Sequence, residues 1–189
     1  NAYCVSGNKM SNYRHEYSEE ACAAARAIRE AFPAVEFTIF ELVQLNEFVN
    51  HQLAHNVLFL SVEDDIIDFV FDLLKEQVPG TVLLDPTPEL YHQYWYDGMI
   101  VLNKLVTEAP RGNEEAWHTR LEKMLVDLVS DPLLQEVISK SEYPAIFEGA
   151  FSGYVIDESC LFRYAKRRAA EKRLRALIRE KTNITLRTE

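Results

Sequence analysis

The first half of the chain alternates between helical and strand-like spacing of its apolar residues. Ser18-Glu19-Glu20-Ala21 predicts a helix start, because serine is a good N-cap and glutamates favour the positive end of a helix dipole. The helix is expected to end before Pro33, and residues 35–40 and 57–62 then have the β-branched and aromatic composition of strands. Because residues 57–62 are apolar on both faces, that strand is predicted to lie in the middle of a sheet.

The next stretch repeats the order of helix and strand. Residues 42–49 are interpreted as a short helix or a turn. A second long helix is predicted to open at Asp64 and Asp65, with an apolar stripe made of Ile66, Ile67, Val70, Phe71 and Leu74. Three elements are predicted after it: a strand at 81–84, a short aromatic helix or turn at 89–96, and a strand at 99–106.

The second half of the chain has only helical spacing. Thr119-Arg120-Leu121-Glu122 has the form of a capping box. The helix after it is predicted to point one face at the core, made of Leu121, Met124, Leu125 and Leu128. Further helices are predicted at 133–139, 144–151 and 158–180. The pattern as a whole is α/β, with a single mixed sheet of about four strands flanked by helices and an all-helical C-terminal half. It is compatible with a nuclease-like core that has no active site.

A chain of 189 residues fits one domain. We predict that residues 17–189 form this domain. Residues 1–16 are interpreted as a linker whose first residues, Asn1-Ala2, remain from a cleaved tag. One short strand is predicted in that linker, at Tyr3-Cys4-Val5.

Cysteine usage and hydropathy bear on location. Cys4, Cys22 and Cys160 are odd in number and widely spaced, so we expect no disulfide framework and a reducing cytoplasm. No apolar run approaches the roughly 18–20 residues that a membrane-spanning helix needs, so no membrane association is predicted.

Charge is divided unevenly along the chain. Residues 1–157 contain 10 Lys+Arg and 26 Asp+Glu, which gives a net charge of −16. Residues 158–181 contain 9 Lys+Arg and 3 Asp+Glu, which gives a net charge of +6. The acidic body argues against broad nucleic-acid binding. The basic segment allows three interpretations: a solvated helix face, a surface that lies on the acidic body of its own domain, or a docking surface for an acidic or phosphate-bearing partner. The candidate partner-binding residues are Arg163, Lys166, Arg167, Arg168, Lys172, Arg173 and Arg175.

Known catalytic patterns are missing or incomplete. His51 and His55 lie four residues apart without the glutamate of a zinc-protease helix, and no glycine-rich phosphate loop or nucleophile elbow is present. Asp85 and Lys104 resemble half of a metal-dependent nuclease site, but Leu102 stands where the second acidic ligand is required. We therefore predict no catalytic residues, no metal and no cofactor.

Four segments together resemble the AbiEi-type antitoxins of bacterial type IV toxin–antitoxin systems. They occur in this order: Phe40-Glu41 with residues 45–52; Glu108-Ala109-Pro110; Thr119 to Leu128, similar to the family's T-x-E-K-x-L-V-D helix with one extra residue; and Leu161 to Arg168. The resemblance covers about residues 17–178. Two departures are the histidine at 118, where the family often has proline, and Ala169-Ala170, near which it often has glycine. These departures leave open where one helix begins and whether another breaks.

The resemblance implies a regulatory protein of abortive infection. Such antitoxins act as transcriptional regulators through an N-terminal winged helix that binds DNA, a domain not contained in these residues, and Tyr3-Cys4-Val5 would be the tail of its wing. Their C-terminal domain is associated with neutralising a nucleotidyltransferase-like toxin. The resemblance thus implies a non-catalytic antitoxin domain. Two alternatives stay open: an enzyme with a nuclease-like fold or a degenerate nuclease, and a dimerisation module.

Overall fold

A computed structural model describes residues 10–187 as an α/β fold built on one four-stranded mixed sheet. The strands are β1 (Phe37–Glu41), β2 (Leu58–Val62), β3 (Val82–Leu84) and β4 (Ile100–Lys104). Their order in the sheet is β1-β2-β4-β3, so β2 and β4 are central. β1 runs antiparallel to β2, while β2, β4 and β3 are mutually parallel. The predicted fold class and the central position of residues 57–62 are confirmed.

Eight helices accompany the sheet in the described residues. Four belong to or border the first half: α1 (Glu19–Ala31), α2 (Ile67–Gln77), α3 (Pro88–Gln93) and α4 (Leu121–Ser130). Four complete the C-terminal half: α5 (Pro132–Val137), α6 (Tyr143–Gly153), α7 (Glu158–Arg167) and α8 (Glu171–Lys181). A 3-10 helix over Leu42–Glu47 follows β1. None of these helices is long and apolar enough to cross a membrane.

The two faces of the sheet carry two separate cores. Alternate residues of β2 and β4, such as Leu60 and Leu102, pack with α1 and α2 on one face. The residues between them, such as Phe59 and Val101, face the C-terminal helices. The two sets alternate because successive side chains of a strand point to opposite faces of the sheet. The α4 residues predicted as core, Leu121, Met124, Leu125 and Leu128, are at most 2% exposed and belong to the second core.

Helix α1 begins as predicted, but α4 does not. Ser18 caps α1 by accepting a hydrogen bond from the Ala21 N–H. The predicted capping box at Thr119 and Glu122 is wrong, since Arg120 occupies the N-cap position of α4 and makes no side-chain cap bond. The Thr119 hydroxyl instead donates to the Ile39 carbonyl at 2.8 Å. The Thr119 hydroxyl therefore makes a tertiary hydrogen bond instead of capping α4.

The chain near residue 118 also closes the outer edge of β1. The Ile39 N–H donates to the Trp117 carbonyl, and Ile39 and His118 form a parallel bridge. Residues 10–17 lie against the same region, where the Tyr17 hydroxyl donates to the Ile39 carbonyl. An edge strand without such cover offers free backbone groups to other chains. The strand predicted at residues 3–5 lies outside the described residues.

The single helix predicted at 158–180 is wrong, because the chain breaks into α7 and α8. The break is a Schellman motif: the Ala170 N–H donates to the Ala165 carbonyl and the Ala169 N–H to the Lys166 carbonyl. Ala169 has φ 50°, the left-handed conformation that this motif requires. Ala165 and Ala170 are both fully buried and supply the apolar contact of the motif. The position therefore has the geometry of a glycine but carries an alanine.

We expect Ala169→Gly to stabilise the protein by about 1 kcal/mol. A Cβ in the left-handed region costs about 1–2 kcal/mol, and part of the gain from removing it is offset because glycine loses more conformational entropy on folding. Chemical denaturation measures the free energy of unfolding. The matched control is Ala170→Gly, one residue later at φ −115°, which is expected to destabilise. A loss of stability in Ala169→Gly would contradict the motif.

Candidate functional site

Helix α4 runs between the sheet and the C-terminal helices, and its charged residues are buried. All residues from Leu121 to Val129 are buried, including Glu122, Lys123 and Asp127. A helix that is covered on every side must find partners for each charge it carries, because an unpaired buried charge is costly. The contacts of these three side chains lead to the sheet on one side and to α7 on the other.

A row of polar side chains crosses the sheet beneath α4. Thr38, Ser61 and Asn103 are register partners on β1, β2 and β4 and alternate with the apolar residues on the face toward α4. The Ser61 hydroxyl donates to the Asn103 side-chain oxygen at 2.7 Å. Within residues 10–187 the Thr38 hydroxyl is buried without a hydrogen-bond partner. The row gives the inner face of the sheet a polar strip next to a basic residue of α4.

That residue is Lys123, which forms a buried ion pair. Its Nζ lies 2.6 Å from an Asp127 carboxylate oxygen, one helical turn away, and 3.5 Å from the Ser61 hydroxyl. The two side chains are only 5% and 13% exposed. A pair this well covered is favourable only when its remaining lone pairs and protons are also bonded. Asp127 must therefore have further donors.

Two residues of the α7 region supply those donors. The Tyr164 hydroxyl donates to the second Asp127 oxygen at 2.9 Å, and the Arg168 Nε lies 3.4 Å from the same atom. Burial raises the pKa of Tyr164 far above its usual range, so its hydroxyl stays a proton donor. The Arg168 Nε also donates to the Ser130 hydroxyl, and its Nη2 lies 3.7 Å from Asp131. We call Ser61, Lys123, Asp127, Tyr164 and Arg168 the α4 network.

The first turn of α4 is tied to the opposite end of α7. Glu122 accepts two hydrogen bonds from the Arg120 guanidinium, at 2.9 and 3.0 Å. It also accepts the Asp157 backbone N–H at 2.8 Å, and Asp157 in turn caps α7 by accepting the Cys160 N–H. Glu122 thus holds the start of α7, while Asp127 holds its end. Helix α7 has no freedom to turn about its axis without breaking one of these contacts.

Loop residue Glu108 contacts the outer side of α7. Its carboxylate accepts from Arg167 at 2.5 Å and lies 3.9 Å from Arg163. The hydrogen bond from Arg167 lowers the pKa of Glu108, which keeps the carboxylate ionised. Glu108 has φ 63°, an uncommon conformation for a residue other than glycine. The Glu108-Ala109-Pro110 segment therefore meets the Leu161 to Arg168 segment through this contact.

The remaining segment of the resemblance carries its own buried carboxylate. Glu41 is 1% exposed and accepts hydrogen bonds from His15, the Ser18 N–H and Asn56. Burial alone would raise the pKa of Glu41, but these hydrogen bonds lower it below its usual value. Phe40 packs in the same core as α4. This segment is joined to the others by packing rather than by the α4 network.

The structure divides the candidate partner-binding residues into two groups. Five are exposed and form what we call the basic face: Arg163, Lys166, Arg167, Lys172 and Arg173. Two are partly buried. Arg168 belongs to the α4 network, and Arg175 lies over the Phe162 ring at 3.7 Å with its Nε 3.1 Å from Glu171. Among the described residues, Lys172 and Arg173 make no ion pair within 4.0 Å, while Lys166 approaches Glu171 at 3.9 Å.

The residues considered for catalysis are scattered. Leu102 is fully buried in the core with α1 and α2, and Lys104 pairs with Asp64 at 2.6 Å on the surface. His51 and His55 approach different acidic residues, at 3.7 and 3.8 Å. Within residues 10–187 no three metal-binding side chains come together. Of the α4 network, only Arg168 was a candidate site residue from the sequence, and it was expected to bind a partner rather than Asp127.

We expect the buried pair in the α4 network to show strong thermodynamic coupling. Asp127→Leu leaves Lys123 buried without a carboxylate and should cost about 3–5 kcal/mol. Adding Lys123→Met should recover at least about 1 kcal/mol, because the unpaired charge is then gone. Chemical denaturation of the single and double variants provides the measurement.

The matched control is Glu180→Leu, which breaks the exposed pair with Arg179 and should change stability by less than about 0.5 kcal/mol. Purely additive costs for Asp127→Leu and Lys123→Met would contradict the buried pair.

Comparison with known proteins gives one match. A model of a family of unknown function, DUF6577, matches residues 1–184. No curated protein and no solved structure matches the chain. The family description names no activity and no antitoxin relationship. Since the match covers nearly every residue, the chain belongs to the DUF6577 family.

Proposed function

We propose that this chain is a non-catalytic, partner-binding domain of the AbiEi antitoxin type, which neutralises a nucleotidyltransferase-like toxin through its basic face. In such a bacterial regulator, DNA recognition would fall to a winged-helix domain outside these residues. The proposal rests mainly on one observation: two of the segments that resemble AbiEi-type antitoxins, residues 108–110 and 119–128, hold the basic helix α7 by hydrogen bonds.

Four polar residues of the T-x-E-K-x-L-V-D-like segment bond three other elements, namely β1, β2 and the two ends of α7. Thr119 bonds β1, Glu122 bonds the start of α7, and Lys123 reaches β2. Asp127 bonds Tyr164 near the end of α7. A catalytic segment would be expected to direct some of these groups toward a cleft and substrate. Thr119 and Glu122 do line a surface cavity with His15 and His118. All four groups are nevertheless bonded within the domain, which favours a role in presenting a surface.

The basic face has the properties of a docking surface for an acidic partner. Arg163, Lys166 and Arg167 share one side of α7. That helix is held at its start by Glu122 and near its end by Asp127. Arginine pairs with carboxylate or phosphate through two parallel hydrogen bonds. A partner would exchange the exposed contact with Glu108 for its own acidic group at little cost, since exposed ion pairs contribute only about 0–1 kcal/mol.

The structure changes which residues are expected to contact the partner. Arg168 and Arg175 were candidates for binding, but their guanidinium groups contact Asp127 and Phe162 within the domain. We assign them a positioning role. Replacing them would test folding more than docking, so they are poor choices for a binding experiment.

Of the two alternatives, the nuclease interpretation has less support. A leucine occupies the position of the second metal ligand, and it is enclosed in the core rather than directed to a cleft. The dimerisation interpretation has no specific contact that favours it. Both remain distinguishable from the antitoxin proposal by the experiment below.

We expect the triple variant Lys166→Glu, Lys172→Glu, Arg173→Glu to lose toxin neutralisation while staying folded. The three charge reversals lie on exposed residues and break no buried contact, so the melting temperature should change little. They place negative charge against an acidic partner, so the affinity for the toxin should fall at least about 100-fold. The measurements are growth rescue in cells that express a nucleotidyltransferase-like toxin of the AbiE type, and binding to that purified protein at two salt concentrations.

The matched control is Arg179→Glu with Lys181→Glu, which reverses two exposed charges at the end of the same helix α8, outside the basic face. Arg163 and Arg167 are left intact because glutamate there would face Glu108. Full neutralisation by the triple variant would refute the basic face as the docking site, and lack of any binding by the wild-type chain would refute the antitoxin proposal itself.

A further inference from the structure

A second exposed surface lies far from the basic face in sequence and has a different chemistry. Leu90 on α3 and the three residues that follow the helix, Tyr94, Trp95 and Tyr96, are 42–58% exposed. They are most of the large hydrophobic side chains that the described residues expose. We call these four residues the aromatic ridge. Soluble domains rarely leave such residues together in water without a use for them.

The aromatic ridge is displayed on a fixed backbone. Tyr91, 2% exposed, anchors α3 in the core, and the Tyr94 N–H donates to the Leu90 carbonyl at the end of the helix. The turn after Tyr96 is joined to the loop before β2, because the Asp97 carboxylate accepts the Asn56 N–H at 2.8 Å and the Gly98 N–H donates to the Asn56 carbonyl at 2.8 Å. A surface that is already ordered loses little entropy on binding.

Gly98 makes this turn possible. It has φ +83°, a conformation that side-chain-bearing residues rarely adopt. The Met99 N–H then donates back to the Tyr96 carbonyl and closes the turn just before β4. The aromatic ridge is therefore attached directly to a central strand rather than to a free loop.

The segment of the chain that contains the aromatic ridge is strongly acidic. Residues 30–103 contain 13 Asp+Glu and a single Lys+Arg, Lys75, a net charge of −12. Glu89 lies at the start of α3 and Asp97 directly follows the ridge. Trp95 also contacts the His55 ring edge-on, with a centroid distance of 4.9 Å. Exposed aromatic faces beside carboxylates are the combination that attracts arginine and lysine side chains.

We propose that the aromatic ridge is a second docking surface, which binds a protein partner through arginine side chains that stack on Tyr94, Trp95 and Tyr96 while pairing with the carboxylates beside them. Tryptophan, tyrosine and arginine are the residues that most often dominate binding energy at interfaces. A nucleic acid is a poor occupant because phosphate is repelled by this acidic segment. The proposal is independent of whether the basic face binds a toxin.

The test titrates the purified full chain with capped hexa-arginine, hexa-lysine and hexa-glutamate peptides and measures affinity by calorimetry. Tryptophan fluorescence reports the location of binding, since Trp95 is exposed and the other tryptophan, Trp117, is 8% exposed. The ridge variant is Tyr94→Ser with Trp95→Ser and Tyr96→Ser. A milder variant, Tyr94→Ser with Tyr96→Ser, keeps the ring contact between Trp95 and His55 in case the triple variant does not fold.

The matched control is Phe69→Ser. Phe69 is 63% exposed and lies on α2 in the same acidic segment, between Asp68 and Asp72, but outside the aromatic ridge. We expect hexa-arginine to bind more tightly than hexa-lysine, to change Trp95 fluorescence, and to bind about tenfold more weakly to the ridge variants but within about twofold to Phe69→Ser.

Several results would overturn the proposal. Equal losses in the ridge and Phe69→Ser variants would show that the peptide senses only the overall negative charge. Binding of hexa-glutamate or of a single-stranded oligonucleotide at the aromatic ridge would exclude a basic protein partner. Concentration-dependent self-association that the ridge variants abolish would identify a second copy of this chain as the occupant instead.

Discussion

The structure of the C-terminal half depends on the buried ion pair between Lys123 and Asp127. Helix α4 is covered on every side, so these charges have little access to bulk water and must be satisfied by neighbouring elements. On the sheet side, Lys123 contacts the Ser61 hydroxyl, and on the α7 side the Tyr164 hydroxyl donates to Asp127. An apolar residue pair at these positions would pack as well but would not specify which face of α7 meets α4. The ion pair therefore contributes orientation, at a cost in desolvation that its hydrogen bonds must offset.

Orientation of α7 is what connects the interior of the domain to its proposed function. Glu122 fixes the start of the helix through the Asp157 backbone, and Asp127 fixes its end. The left-handed Ala169 then ends α7 and sets the direction of α8. Between them these contacts determine where the basic face points. The aromatic ridge is fixed by a separate set of contacts around Asn56 and Gly98, so the two surfaces can be altered independently.

Local patterns were sufficient for most of the fold. The Ser18 cap, the apolar residues of β2 and the face of α4 follow from periodicity and capping chemistry, because those depend on neighbours in the chain. The prediction at Thr119 failed because its hydroxyl bonds Ile39, a residue distant in sequence. The helix predicted at 158–180 continues through Ala169 because alanine gives no local signal for a left-handed residue, and the glycine that the resembling family often has near this position was the hint of a break.

The candidate site was harder to predict for the same reason. Charge runs showed that residues 158–181 are basic, but not that Arg168 turns inward to Asp127 while Arg167 turns outward to Glu108. The i, i+4 spacing of Lys123 and Asp127 on an otherwise apolar helix was a usable signal, since charges on a helix that is apolar all round must be paired.

The central claim is that the α4 network holds α7 in place, and native-state hydrogen exchange tests it most directly. In Asp127→Asn, the charge that pairs with Lys123 is lost while the shape of the side chain is kept. The amides of α7 and α8 should then exchange at least about tenfold faster, while those of β2, β4 and α1 change much less, because the loss is confined to one cooperative unit. A uniform increase across the whole domain, or unchanged protection in α7, would contradict the account.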